Sequence, residues 1–186
     1  MKKIKEIISS KTISGITDYF NLYKYLMEEI KKRKLQNAKK IKVALLSSFT
    51  INGIKETLFV KCCEIGVILE FYVGDYNQYA QEILDSNSGL YKFEPDLVII
   101  FIDTRAVLGD QYFLPYQISD EQRKSQIDEK TREMLLLVHK IKENSSAKIL
   151  LHNFEVPLHS SLGILENKQK LGFIESIEKL NASLID

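Results

Sequence analysis

Residues 97–102, Leu-Val-Ile-Ile-Phe-Ile, contain no polar side chain and none of the alternation that marks a strand with one wet face. A run of this kind belongs to a strand buried on both sides, which demands a parallel sheet covered by helices above and below. The rest of the chain supplies matching pieces. Ile41–Leu46 reads as a first strand, Ile54–Ile65 as a helix closed by Gly66, and Val67–Val73 as a second strand stopped by Gly74 and Asp75. A short helix is expected over about Tyr76–Leu84, followed by a turn at 85–89, DSNSG. Ser119 with Gln122 forms a capping box for a long helix, on which Ile127, Thr131, Met134, Val138 and Ile141 share one face. Lys148–His152 reads as a fourth strand, and Phe173, Ile177, Leu180 and Leu184 mark a last helix with no evident cap. Ahead of the sheet, Tyr19, Tyr23, Leu26, Met27 and Ile30 predict an amphipathic helix from Thr17 to near Leu35.

Strands alternating with crossover helices give an α/β fold, a three-layer α/β/α sandwich with a parallel sheet of expected order 2-1-3-4. Four strands are few for such a sheet, so a fifth is expected beyond Asp186 and the chain reads as cut from a longer polypeptide. Residues 1–37 are taken as a helical extension packing on a domain formed by 38–186.

Charge excludes several classes of partner. Lysine and arginine number 26 against 25 aspartates and glutamates, so no overall field favours nucleic acid or an anionic membrane surface. The basic run Lys31–Lys34 falls where cations stabilise a helix carboxyl end. No apolar run approaches the roughly 18 residues of a spanning helix, and MKKIKEIISSKT is too polar for a signal peptide, which predicts a soluble cytoplasmic protein. Cys62 and Cys63 are adjacent within a helix, where successive side chains diverge from disulfide geometry. His139, His152 and His159 lack metal-ligand spacing, so no metal or other cofactor is expected in this domain.

Ligands of open α/β sheets bind beyond the carboxyl ends of the strands. Three connections leave those ends: the loop after the first strand, and the long segments Asp103–Ile118 and Asn153–Asn167, both expected to be irregular. Ser47, Thr50, Asn52, Thr104, Arg105, His152 and Asn153 are candidate ligand-binding residues there, with Asp75 and Tyr76 beside the second strand. Ser48, Asp103 and His159 could imitate a nucleophile, orienter and base, with His152 as an alternative base. Blander readings stand beside these. The serines and Asp103 can cap the following helices, Arg105 can form a surface ion pair, His152 can be hydrogen-bonded within the fold, and Asp75 and Tyr76 can simply make a turn. Neither GxGxxG nor GxxxxGK[ST] occurs, which leaves nucleotide binding unsupported.

Several segments occurring together, LLSSFT (45–50), EFYVGDYNQYAQEIL (70–84), SGLYKFEPDLVIIFIDTRAVL (88–108), HNFEVPLHSSLGILE (152–166) and KLNASL (179–184), resemble the amino-terminal domain of FkbH-like proteins. These form part of the haloacid-dehalogenase superfamily, subfamily IIIC. The resemblance implies an SGNH-hydrolase-like, flavodoxin-like sheet followed by a haloacid-dehalogenase-like phosphatase domain with an aspartate nucleophile and magnesium. It also implies a part in loading a glyceryl or acyl unit onto an acyl carrier protein in polyketide and related pathways, the carrier being a possible partner. SSFTING (47–53) stands where such hydrolases carry GDSxxxG, which puts Phe49 at the nucleophile and Ser48 at the aspartate. No GxND or DxxH follows. The resemblance therefore implies an accessory, noncatalytic domain; a register shift of one residue would restore Ser48 as the nucleophile of a serine esterase or acyltransferase.

Overall fold

A computed structural model describes residues 2–33 and 39–185. Its sheet has four parallel strands, β1 (Lys39–Ser47), β2 (Val67–Val73), β3 (Leu97–Phe101) and β4 (Lys148–Leu151), in the order β2-β1-β3-β4. The expected order is therefore observed. β1 is the hinge of the arrangement, pairing Val43 with Phe71 on one side and with Leu97 on the other. Its residues Val43–Ser47 are all buried because helices cover both faces.

One face carries α3 (Ile54–Ile65) together with α1 (Lys2–Ser9) and α2 (Ile16–Arg33), and packs Val43, Leu45 and Ile99 against Leu22, Leu26 and Phe59. The other carries α4 (Tyr79–Leu84), α5 (Gly89–Phe93), α8 (Asp120–Asn144) and α9 (Phe173–Ala182), and packs Ala44, Leu46, Val98 and Ile100 against Met134, Leu137 and Ile177. The alternation of strand residues between the two cores follows from the period of two along each strand. α3 closes on Gly66, whose φ of 95° is left-handed and whose N–H caps the carbonyls of Cys62 and Cys63. The capping box forms as read: Gln122 N–H donates to Ser119 Oγ at 3.3 Å, and Ser119 N–H to Gln122 Oε1 at 2.8 Å.

Several local expectations are corrected. Residues 1–37, read as a helical extension, hold a second helix, α1, besides the one predicted, with Ile4 and Ile8 one turn apart buried against α3. The short helix begins at Tyr79 rather than Tyr76, since Asn77 sits at φ 57° in a turn. The turn at 85–89 leads at once into α5, with Ser88 at its N-cap position. Asp103–Ile118 is not irregular: it holds two short helices, α6 (Thr104–Leu108) and α7 (Asp110–Phe113). Asn153–Asn167 is mostly irregular, ending in a 3-10 turn at Gly163–Lys168. β1 starts two residues earlier than read and takes in Ser47, β4 stops before His152, and Leu184 lies past the end of α9. The helix end placed near Leu35 lies outside the described residues.

The amino-terminal helices share the core of the sheet. Tyr23 meets Phe59 edge to face at 5.0 Å between ring centroids, and Leu26 is fully buried. Leu26→Ala should therefore lower unfolding free energy by about 2–5 kcal/mol. The urea midpoint measures it; a midpoint equal to that of the parent would show that α2 contributes nothing to the fold.

Candidate functional site

The carboxyl ends of the four strands form a rim tied together by backbone and small hydroxyl groups. Gly74 N–H donates to Leu45 O at 2.9 Å and Asn77 N–H to Ser47 O at 3.1 Å, joining the loops after β2 and β1. Ser48 N–H donates to Phe101 O at 3.0 Å, and in return Asp103 N–H donates to Ser48 Oγ at 2.8 Å, joining the ends of β1 and β3. Thr104 Oγ1 donates to Glu155 O at 2.9 Å, carrying the connection to the segment after β4. Ser47 Oγ accepts from Phe49 N–H at 3.1 Å, which fixes the tight turn out of β1. Gly53 then adopts φ 88° at the start of α3, with Ile16 of α2 only 2.5 Å from where a Cβ would stand. A side chain at 53 would thus be strained by the backbone and would push the exposed Ile16 side chain aside.

These bonds show what several candidate residues contact. Ser47, Ser48 and Thr104 are buried and hydrogen-bonded within the fold. Asp103 is the N-cap of α6, accepting from Arg105 N–H at 2.7 Å, and its carboxylate also takes the Arg105 guanidinium through Nε at 2.9 Å and Nη2 at 2.6 Å. The cap and ion-pair readings of this couple both hold. Phe101 faces the His152 ring at 5.9 Å between centroids, and His152 and Asn153 are exposed. Thr50, Asn52, Asp75, Tyr76 and His159 are exposed as well, and so are free to meet a ligand.

The strand order decides which candidates can meet. Ser48 follows β1 and His152 follows β4, so β3 lies between them and their backbones stand roughly 10 Å apart, at about 4.8 Å per strand. Among the described residues no hydrogen bond joins Ser48 to His152 or His159. Asp75 and Tyr76 belong to the opposite end of the rim, where they border an open hollow with Gln81, Glu82 and Asp85. Among the described residues no group of three or more His, Cys, Asp or Glu side chains converges as a metal site, and no helix is long and apolar enough to cross a membrane.

A second polar cluster lies beside the rim. Arg123, at the start of α8, is 5% exposed and donates to Leu171 O at 3.0 Å, Ile118 O at 2.9 Å and Pro115 O at 3.3 Å, while also pairing with Asp120. Its guanidinium lies 5.0 Å from the Tyr116 ring centroid. Glu166 is buried and accepts from Tyr116 Oη, from Ser160 Oγ and, at 2.9 Å, from Ile174 N–H. Together they fasten the α7–α8 connection to the segment before α9. Sequence reading passed over them, although one signal was present: Arg123 precedes Ile127 by one turn on the apolar face of α8, where a cation is unexpected.

The fold and its rim define a doubly wound α/β domain with loops presented over the carboxyl ends of the strands. Residues 42–186 match the family model described as FkbH, N-terminal domain, and the chain belongs to that family. Among solved structures, it is similar to one described as the N-terminal part of the protein BF1531 from Bacteroides fragilis containing a phosphatase domain complexed with Mg. That similarity has a TM-score of 0.69 at 21% identity and covers 93% of this chain but 42% of the solved one, so this chain spans less than half of that protein's solved length. A comparison with curated proteins gives no match.

The side-chain hydrogen bonds of Arg105 hold the Asp103 carboxyl below the usual carboxylate range. A lowered folded-state pKa contributes stability above the unfolded value, and that contribution is lost as pH falls through the folded one. Arg105→Ala should raise the Asp103 carboxyl pKa toward its ordinary value, read by carboxyl-carbon NMR titration. An unchanged titration would mean that the pair does not form in solution.

Proposed function

We propose that this domain is a noncatalytic binding module of an FkbH-like protein, an SGNH-hydrolase-like sheet that holds part of a substrate while chemistry occurs elsewhere. Its rim receives an acyl or glyceryl unit, or the arm of an acyl carrier protein that bears it. Thr50, Asn52, His152 and Asn153 are the exposed polar groups offered for that contact. A downstream haloacid-dehalogenase-like domain, with magnesium, carries the phosphoryl chemistry.

The observation that carries this reading is the state of Ser48. Its hydroxyl oxygen is buried and accepts from Asp103 N–H, and the Asp103 carboxylate is engaged by Arg105. An activated serine needs a base within roughly 2.6–3.2 Å and an orienting group behind that base. Here the candidate orienter is paired with a cation, and His152 and His159 follow β4, a strand that is not adjacent to β1. The solved protein of similar fold is described as containing a phosphatase domain, which agrees with such a neighbour but shows the fold alone.

Turnover of p-nitrophenyl acetate and of short acyl thioesters tests the proposal. The parent protein should be no faster than Ser48→Ala, with both folded by circular dichroism. Hydrolysis abolished by Ser48→Ala would instead establish an SGNH-like serine esterase or acyltransferase, with His159 the next residue to replace.

A further inference from the structure

Two uncharged stretches meet beside the carboxyl rim. QYFLPYQI (111–118), between α6 and α8, and VPLHSSLGIL (156–165), after β4, contain no lysine, arginine, aspartate or glutamate. They are tied at one junction, where Tyr116 Oη meets Ser160 Oγ at 3.5 Å and both hydroxyls donate to Glu166. Phe113, Leu114, Leu158, Ile164 and Leu165 each lie within three residues of a member of that junction, a reach of at most roughly 11 Å along the chain. All five are open to solvent: Leu158 is 90% exposed, Ile164 85% and Phe113 65%, while Leu114 and Leu165 are half exposed. α7 buries none of its own residues, so Phe113 stays outside while Tyr112 leans on Phe173 at 5.5 Å between ring centroids.

Exposed apolar side chains standing singly are ordinary, whereas a gathering of them marks an interaction surface. These five together offer on the order of 600 Å², the upper end of the largest patch on a typical monomer. That approaches the roughly 800 Å² that each partner contributes to a standard interface, and Tyr112, Tyr116 and His159 adjoin the patch to extend it. The patch is also firmly mounted, since Glu166 receives Ile174 N–H at 2.9 Å and Arg123 holds Leu171 O at 3.0 Å behind it. Side chains on a braced support lose less freedom on association.

The lack of charge says what fits there. A strongly charged partner or an anionic surface would find nothing complementary in these two stretches. A two-fold axis brings a patch against itself, which repels when the patch is charged and is favourable when it is apolar. We propose that two copies of this chain associate through this patch, with Leu158 and Ile164 of each packing against the other copy's Phe113 and Leu114. Because both stretches leave the carboxyl ends of β3 and β4, the two rims then flank the shared interface. This proposal does not depend on what the rim binds.

Sedimentation equilibrium over a range of concentrations tests it. The parent chain should reach twice the mass of one copy as concentration rises. The double variant Leu158→Asp with Ile164→Asp, and separately Phe113→Asp on the other stretch, should remain at the mass of one copy with an unchanged circular dichroism spectrum, because these side chains are exposed. Leu136→Asp, at a half-exposed position on α8 outside the two stretches, should dimerise as the parent does. A parent that stays monomeric at every concentration overturns the proposal and leaves the patch to a different partner. A dimer that survives the patch variants, or that Leu136→Asp breaks as readily, puts the interface elsewhere and overturns it too.

Discussion

The burial of β1 on both faces and along both edges is the constraint on which the rest depends. A strand with Val43–Ser47 wholly inside needs two covering layers and two paired neighbours, and β2 and β3 on either side satisfy the second need. Because the chain steps from β1 to β2 in one direction and from β2 across to β3 in the other, the loops after β1 and β3 diverge to opposite faces. That divergence opens a crevice in doubly wound sheets. In this protein the space between the two loops is bridged by the reciprocal bonds of Ser48 with Phe101 and Asp103. A small hydroxyl thus occupies the position at which a fold of this type can carry a reacting group, and it joins two strand ends.

Two consequences follow for function. Beside the Asp103–Arg105 pair, the exposed side chains of the rim include Thr50, Asn52, Asn153, two imidazoles and the Asp75 carboxylate, a set suited to hydrogen bonding. The surroundings are also stiffened from the side. Arg123 gathers carbonyls from both flanking segments, and Glu166 receives two hydroxyls and an amide, so the long connections after β3 and β4 form a braced wall. Buried charges of this kind are costly unless fully partnered, and their partnering here fixes the loop conformations more than it adds net stability.

Much of this was legible in the chain, and the exceptions have physical reasons. Leu97–Ile102 fixed the sheet class because only a two-sided burial tolerates such a run, while Gly66 and the Ser119–Gln122 pair marked helix ends through local chemistry that needs no tertiary context. α6 and α7, with five and four residues, are too short to show a helical period; α6 rests on the Asp103 cap and on burial of Val107 and Leu108, while α7 buries no residue. α1 is eight residues long, and Ile4, Ile7 and Ile8 meet the core among lysines, too short a run to set a clear period. The site divided similarly. Its location followed from strand ends, but Ser48 as an acceptor depends on a partner 55 residues away, and the Tyr116–Glu166 contact spans 50. Pairings at such separations leave no periodic trace.

The central claim is that Ser48 belongs to the architecture, and the unfolding free energy of Ser48→Ala tests it most directly. Removing the acceptor leaves Asp103 N–H without its partner in a partly buried site, so the account predicts destabilisation of about 1–3 kcal/mol in urea unfolding. Residues held for reaction are commonly replaced at no cost in stability, or with a gain. A Ser48→Ala protein as stable as the parent, or more so, would contradict the account and return Ser48 to the role of nucleophile.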